Sequence, residues 1–249
     1  MRSSRSAPDR ASQTVDPLDP GPAGFAHRGL HDGATFIENS FVAFAAALER
    51  GAGIECDLRL TADHQIIVFH DADALRLCGA HAVIATSTLA ELARFSVGNR
   101  PIPTLRQLLK LVDGRVPLLL EAKIDAKSDG RFWRFGPALL AALEGYRGAY
   151  GVMSFDPRLP RWLKTNAPSI RRGLVIADRL SRFRRWGAMM LADPHFLAVD
   201  RAALAQPWVA RARRRLPDYS WTIRTAAERV AALPFADALI WEADGRPRT

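Results

Sequence analysis

The 249-residue chain has only two cysteines, Cys56 and Cys78. Two are too few for a disulfide framework, and neither stands in a Cys-x-x-Cys spacing that would hold zinc. No apolar run is long enough to span a bilayer. Residues 1–22 are rich in Ser, Arg, Asp and Pro and contain no apolar h-region, so this stretch is no secretory signal and is expected to be a disordered tail. Lysine is scarce: Lys110, Lys123, Lys127 and Lys164 are the only lysines among 35 basic residues. No G-x-G-x-x-G follows the first strand-like run, which argues against a dinucleotide-binding open sheet. These absences suit a reduced, cytoplasmic protein.

What is present is ordinary for a globular chain, with 48% hydrophobic and 24% charged residues. The length suits one large domain, expected over 23–249, and is ample for a sizeable core. The net charge is +9 and is carried almost wholly by arginine. Such a balance can serve nucleic acid, an anionic membrane or a phosphorylated substrate. An arginine-rich coding bias accounts for the charge as a whole, and nucleic acid is not expected as a partner.

From Phe25 the chain alternates short apolar runs with amphipathic stretches of helical period. Strands are expected at 25–29, 53–60, 116–123, 151–155, 172–177, 196–200, 219–224 and 238–241. Asn39 or Ser40 can cap a helix from Phe41 to Leu48, and Thr104 one from Leu105 to Val112. Further helical patterns cover 135–145, 158–165, 207–215 and 226–233. Residues 72–102 read as an irregular, loop-like insertion. Eight strands separated by helices in this length predict an α/β fold, a single-domain (β/α)₈ TIM barrel.

The stretch from Gly53 to Asp71 reads as a β-hairpin with its turn at Thr61-Ala62-Asp63-His64. Glu55 and Asp57 are two residues apart and share a face if the segment is a strand, because side chains alternate. Cys56 then faces the other way, as a small buried hydrophobe. A turn at Asp63 and His64 places His70 across from Glu55, subject to a register that a one-residue slip would undo.

In a barrel the active-site groups sit at the C-terminal ends of the strands. His27 and Arg28 close the first strand, Glu55 and Asp57 are on the second, and Glu121 and Lys123 close the third. Three carboxylates together repel unless a cation neutralises them. Oxygen donors suit Mg²⁺ or Ca²⁺, with Mn²⁺ or Zn²⁺ less favoured. An arginine fork suits phosphate, and two histidines beside a metal-bound phosphate make an acid/base pair.

In order, A-H-R-G (26–29), E-N-S (38–40), G-I-E-C-D-L-R-L-T-A-D (53–63), V-F-H-D (68–71), I-P-T-L (102–105), L-L-E-A-K (119–123), M-S-F (153–155) and W-T-I-R-T (221–225) occur along the chain. This series resembles the glycerophosphodiester phosphodiesterases of the phospholipase C-like phosphodiesterase superfamily, over roughly Phe25 to Trp241. The resemblance implies a barrel enzyme that hydrolyses glycerophosphodiesters to glycerol 3-phosphate and an alcohol. It implies that Glu55, Asp57 and Glu121 hold one divalent cation, that His27 and His70 are general acid and base, and that Arg28 and Lys123 contact the phosphoryl oxygens. Three departures stand out. Ile37 replaces the usual proline, His64 replaces the turn glycine, and Trp241-Glu242 replaces a Thr-Asp pair, so no role carries over to the last strand.

Outside that series, Trp221 is expected to wall the substrate site or to belong to the barrel core, and Asn39 to cap a helix or serve the site. His31, His64, His81 and His195 read as surface residues, with His31 near enough to the first strand to line a pocket. Arg179, Arg182, Arg184 and Arg185, interleaved with Phe183 and Trp186 and followed by Met189, Met190 and Leu191, read as a solvated helix or as a weak contact with an anionic membrane. Arg211, Arg213, Arg214 and Arg215 read as a solvated face. The competing functions are a lysophospholipase D or sphingomyelinase-D-like enzyme, and a non-catalytic basic binding protein.

Overall fold

Strand after strand, alternate residues are apolar on one side and either apolar or acidic on the other, which is the pattern of a barrel wall packed on both faces. The computed structural model describes residues 16–124 and 132–247. The strands are β1 (Phe25–Ala26), β2 (Gly53–Leu60), β3 (Ile66–Val68), β4 (Ser96–Val97), β5 (Arg100–Pro101), β6 (Leu118–Ala122), β7 (Tyr150–Ser154), β8 (Arg171–Ile176), β9 (Phe196–Val199), β10 (Tyr219–Ile223) and β11 (Ala238–Trp241). The helices are α1 (Phe41–Glu49), α2 (Leu75–Cys78), α3 (Leu89–Leu92), α4 (Leu105–Val112), α5 (Phe132–Leu143), α6 (Arg158–Asn166), α7 (Arg182–Ala192), α8 (Pro207–Ala212) and α9 (Ala226–Ala232).

Eight strands run parallel in the order β10-β11-β1-β2-β6-β7-β8-β9. Parallel bridges Leu197↔Asp218 and Asp200↔Trp221 join β9 to β10 and close the ring. This is the expected (β/α)₈ barrel, with all eight strands where the periodicity places them. The outward side chains of β2, among them Ile54, Cys56 and Leu58, pack in one large cluster with helix residues such as Phe44, Leu105 and Leu108. A second cluster fills the barrel interior and includes Phe25, Leu119, Met153, Val175, Phe196 and Tyr219. Phe196 needs room there. A Cβ on Gly173 would lie 2.3 Å from its ring, so only glycine admits the aromatic at the axis.

The helices begin where their caps are. Ser40 accepts from the Ala43 N–H, so Ser40 and not Asn39 caps α1. Thr104 with Gln107, and Thr225 with Glu228, form capping boxes for α4 and α9.

Three expectations change. The hairpin pairs Leu58↔Val68, Arg59↔Ile67 and Leu60↔Ile66, which is one residue away from the register that sets His70 opposite Glu55. Phe69, not His70, meets Asp57, through an N–H to carbonyl bond of 2.9 Å. The reason is the turn. His64 adopts φ 60°, the left-handed conformation that the missing glycine would supply, and the Thr61 N–H donates to the Gln65 carbonyl at 3.0 Å across a five-residue loop. The insertion at 72–102 is not merely loop-like. It contains α2, α3, β4 and β5 and packs Ile84, Leu92, Val97 and Ile102 on Ile67 and Phe69. Finally, the packed region begins before residue 23. Leu18 is buried beneath Phe25, and Asp16 accepts the Tyr219 hydroxyl at 2.7 Å and the Arg171 guanidinium at 2.9 Å. The rest of the expected tail, residues 1–15, lies outside the described residues.

Candidate active site

Period-2 alternation puts Glu55 and Asp57 of β2 on the inward face, and the parallel register Asp57↔Glu121 sets the β6 acid beside them. One oxygen from each of Glu55, Asp57 and Glu121 lies within 4.8 Å of the others, and all three residues are buried. Lys123, at the end of the same strand, holds its Nζ 2.9 Å from Asp57 Oδ1 and donates to Glu121. Arg28 places Nε 3.1 Å from Asp57 Oδ2 and donates its backbone N–H to Glu55 Oε2 at 3.1 Å.

Such packing has electrostatic consequences. Burial, then the charges of Asp57 and Glu121, push the Glu55 carboxyl well above the usual carboxylate range. Burial also raises Glu121, with Lys123 opposing it. Burial acts on Asp57 in the same direction, but Lys123 and Arg28 together outweigh it and hold that carboxyl well below the ordinary value. Glu55 Oε1 is buried with no hydrogen-bond donor. Three oxygen donors crowded at this distance, one of them orphaned and two of the acids pushed toward protonation, form an acidic cluster that can bind a divalent cation.

The backbone around the cluster is held in unusual shapes. Arg28 has φ 56° and Asn39 has φ 55°, and the Asn39 N–H donates to the Arg28 carbonyl at 2.9 Å. Two non-glycine residues in the left-handed region, tied to each other, mark a constrained site. Asn39 thereby turns its amide to donate to Asp57 Oδ2 at 2.9 Å, which is why it does not cap α1.

Both histidines are oriented by a carboxylate. His27 Nδ1 is 2.6 Å from Glu242 Oε2, and its Nε2 is 3.9 Å from Glu55 Oε2. Burial lowers the His27 pKa, and the hydrogen bond to Glu242 offsets this only in part. Glu242 also lies 3.6 Å from His31 Nε2 and accepts from Arg224 Nε at 2.7 Å. His70 Nδ1 is 2.7 Å from Asp71 Oδ1. Burial lowers the His70 pKa as well, while the charge of Asp57 raises it. His70 follows one residue after the last backbone bond to β2, from Phe69 to Asp57, and lies near enough to feel the charge of Asp57.

Asp71 Oδ2 accepts from Arg76 Nε at 2.6 Å, and Arg76 grips both oxygens of Glu38 at 2.7 and 3.0 Å. Glu38 in turn accepts from Arg28 at 2.8 Å. A continuous chain of charged contacts therefore runs from Asp57 through Arg28, Glu38, Arg76 and Asp71 to His70. On the other wall, Lys123 Nζ stands 5.8 Å from the Phe155 ring centroid, and Phe155 meets Trp221 edge-on at 5.5 Å. Trp221 also donates to the Ala198 carbonyl at 2.8 Å and packs on the interior cluster, so it belongs to both the wall and the core.

The structure thus brings Arg28, Glu55, Asp57, Glu121, Lys123 and both histidines to one end of the barrel, with Trp221 one ring away from Lys123. Sequence reasoning missed Glu242, Glu38, Arg76 and Phe155. Glu242 and Phe155 follow directly after strands, so the rule that polar and aromatic residues at strand ends face the site could have found them. Glu38 and Arg76 carry no such signal, because their contacts depend on how the insertion folds.

Comparison with known proteins places this geometry. Residues 27–238 match the description of the glycerophosphoryl diester phosphodiesterase family. A glycerophosphodiester phosphodiesterase of Caldanaerobacter subterraneus subsp. tengcongensis is 30% identical over 162 residues, covering 60% of this chain and 65% of the relative. One from Bacillus altitudinis is 33% identical over 109 residues, covering 40% of this chain and 44% of the relative. The chain thus spans less than two thirds of the length of these curated relatives. In fold, the chain is similar to an Oleispira antarctica phosphodiesterase solved with the product sn-glycerol-3-phosphate, with a TM-score of 0.79, 20% identity, and coverage of 90% of this chain and 94% of that one. With a family description matching from His27 at the first strand to Ala238 at the last, the chain belongs to the glycerophosphoryl diester phosphodiesterase family.

Proposed function

We propose that the chain is a phosphodiesterase that hydrolyses glycerophosphodiesters to glycerol 3-phosphate and an alcohol, using one divalent cation. The observation that carries this reading is the convergence of three buried carboxylates, two carboxylate-oriented imidazoles and two cationic side chains around Asp57. Glu55, Asp57 and Glu121 would hold the cation, and an all-oxygen donor set favours Mg²⁺ or Ca²⁺. When bound, it supplies positive charge that polarises a phosphoryl oxygen and lowers the pKa of a nearby hydroxyl.

The chain's own groups do the rest. Arg28 and Lys123 contact the phosphoryl oxygens, and Arg28 is positioned for this by its pairing with Glu38 and Asp57. With Nδ1 of each imidazole engaged by Glu242 or Asp71, Nε2 is the nitrogen left to exchange a proton. One Nε2 takes the proton of the attacking hydroxyl as the new O–P bond forms; attack by water gives glycerol 3-phosphate directly, and attack by the glycerol 2-hydroxyl gives a cyclic phosphate that water then opens to glycerol 3-phosphate. The other gives a proton to the departing alcohol oxygen as the old P–O bond breaks. Phe155 and Trp221 wall the side of the site next to Lys123.

The test is release of glycerol 3-phosphate from glycerophosphocholine, glycerophosphoethanolamine and glycerophosphoinositol, and of choline from lysophosphatidylcholine, with and without chelator. Chelator-sensitive turnover of at least one is expected. No such turnover of any of them would overturn the reading.

A further inference from the structure

Helix α7 turns its apolar residues the wrong way for a helix on a barrel flank. Its packed side is Arg185, Ala188, Met189 and Ala192, with Ala192 buried and the Arg185 guanidinium 4.2 Å from the Trp208 ring. On the opposite side Phe183 is 84% exposed, Trp186 66% and Met190 65%, and Leu191 lies beside them. The spacing i, i+3, i+7 sets Phe183, Trp186 and Met190 in one stripe, and Gly187 between them adds no side chain to interrupt it. On a helical projection Arg182 borders one edge of this stripe and Arg184 the other. The helix carries no acidic residue, and neither arginine forms an ion pair among the described residues.

Isolated exposed apolar residues need no explanation, but a contiguous stripe of two aromatics and a methionine does. Its composition says what covers it. An apolar stripe bordered by unpaired arginines is complementary to a surface that is apolar below and anionic above, which is the edge of an anionic bilayer. A second copy of the chain fits worse. Across a two-fold axis the unpartnered arginines would face their own copies, with no acid on the helix to receive them.

We infer that α7 is an interfacial anchor that seats this barrel on anionic membranes. The helix starts just after the C-terminal end of β8, so Phe183 lies at the end of α7 nearest the barrel mouth. Seating the stripe brings that mouth toward the headgroups. The inference stands on the exposed face alone and does not require the proposed chemistry.

The test is sedimentation of the full chain with vesicles of phosphatidylcholine alone and with one third phosphatidylglycerol. Binding is expected only to the anionic vesicles at low salt, and is expected to be lost at about 0.5 M salt, where the Debye length falls to roughly 4 Å. Each near-surface arginine contributes about fivefold, so Arg182→Gln with Arg184→Gln should weaken binding about 25-fold. Phe183→Ser, Trp186→Ser and Met190→Ser together should weaken it more than about 100-fold. Because these side chains are exposed, the variants should keep the parent's melting curve, and the salt series on the unaltered chain tests the idea without them. Equal binding to both vesicle types, or none to the anionic vesicles at low salt, overturns the inference. So does a dimer in solution that the triple serine variant converts to monomer, since the stripe would then be an interface between copies.

Discussion

The Glu242–His27 pair gives the sharpest test of the proposed chemistry. Glu242→Gln keeps the side-chain shape and an acceptor oxygen for Nδ1, and removes only the negative charge. Glu242 sits 2.6 Å from Nδ1 of a mostly buried ring, so the lost contribution is that of a charge-assisted hydrogen bond, about 1.5–3 kcal/mol. It is realised when the ring becomes an imidazolium during turnover. At about 1.4 kcal/mol per tenfold, kcat should fall by roughly 10- to 150-fold. KM should change little, because Glu242 touches neither Arg28 nor Lys123, the groups proposed to hold the phosphate. The sign of the pH effect also follows. Burial already lowers the His27 pKa and Glu242 opposes that, so removing the charge lowers it further. Whichever limb of the kcat/KM profile His27 governs must move to lower pH. Movement of the acid limb makes His27 the base, and movement of the alkaline limb makes it the acid. Arg224→Gln is the control. Arg224 binds the other oxygen of Glu242 from an exposed position, so its removal should cost no more than about fivefold. If Glu242→Gln left kcat within about twofold and neither limb moved, the orienting role would be wrong.

Other predictions follow from the same geometry. Glu121→Gln should reduce divalent-cation affinity at least about tenfold by calorimetry, since it removes one of three charged oxygen donors; unchanged affinity and rate would exclude Glu121 as a ligand. Mg²⁺ or Ca²⁺ at about 100 times its dissociation constant should add about 2.7 kcal/mol of stability, which raises Tm by roughly 5–11 °C in differential scanning, and chelator should remove the gain. A Tm indifferent to both cations would refute the cluster as a binding site. Phe196→Ala should cost about 3–5 kcal/mol in denaturant unfolding, because the ring fills the barrel axis against Gly173. A cost below about 1 kcal/mol would mean that the interior collapses around the missing ring.

Much of the fold was legible because a barrel repeats one simple rule. Each strand is a short apolar run, and several helices begin at a Ser or Thr cap, so Thr104 announced α4 and its full span from Leu105 to Val112. The site acids were legible for the same reason, since period-2 alternation put Glu55 and Asp57 together without any tertiary information. What was not legible depended on backbone geometry that side-chain pattern does not encode. His64 taking φ 60° accompanies a hairpin shifted by one residue; the missing turn glycine marked the turn as irregular but did not give the register. Arg28 and Asn39 in the left-handed region redirected Asn39 from the helix cap to Asp57. Leu18 was hidden in a stretch too polar to suggest burial, and its place under Phe25 emerges only once the barrel floor exists.

Charge balance ties these findings to the proposed chemistry. Counted over the groups that meet at Asp57, the buried acids Glu55, Asp57 and Glu121 carry three negative charges, and Arg28 and Lys123 return two positive ones. The site is therefore one charge negative while buried, and the chain's response is visible in Glu55, the acid pushed furthest toward protonation. Protonating Glu55 is one way to balance the count, and a divalent cation is the other. With the cation the count becomes one charge positive, which matches the single negative charge of a phosphodiester. A phosphomonoester dianion would overshoot by one. A site one charge positive attracts a dianion more strongly than a monoanion, so glycerol 3-phosphate should inhibit more strongly as pH rises through its second ionisation. An inhibition constant that instead weakened with pH would show that no net positive charge meets the phosphate.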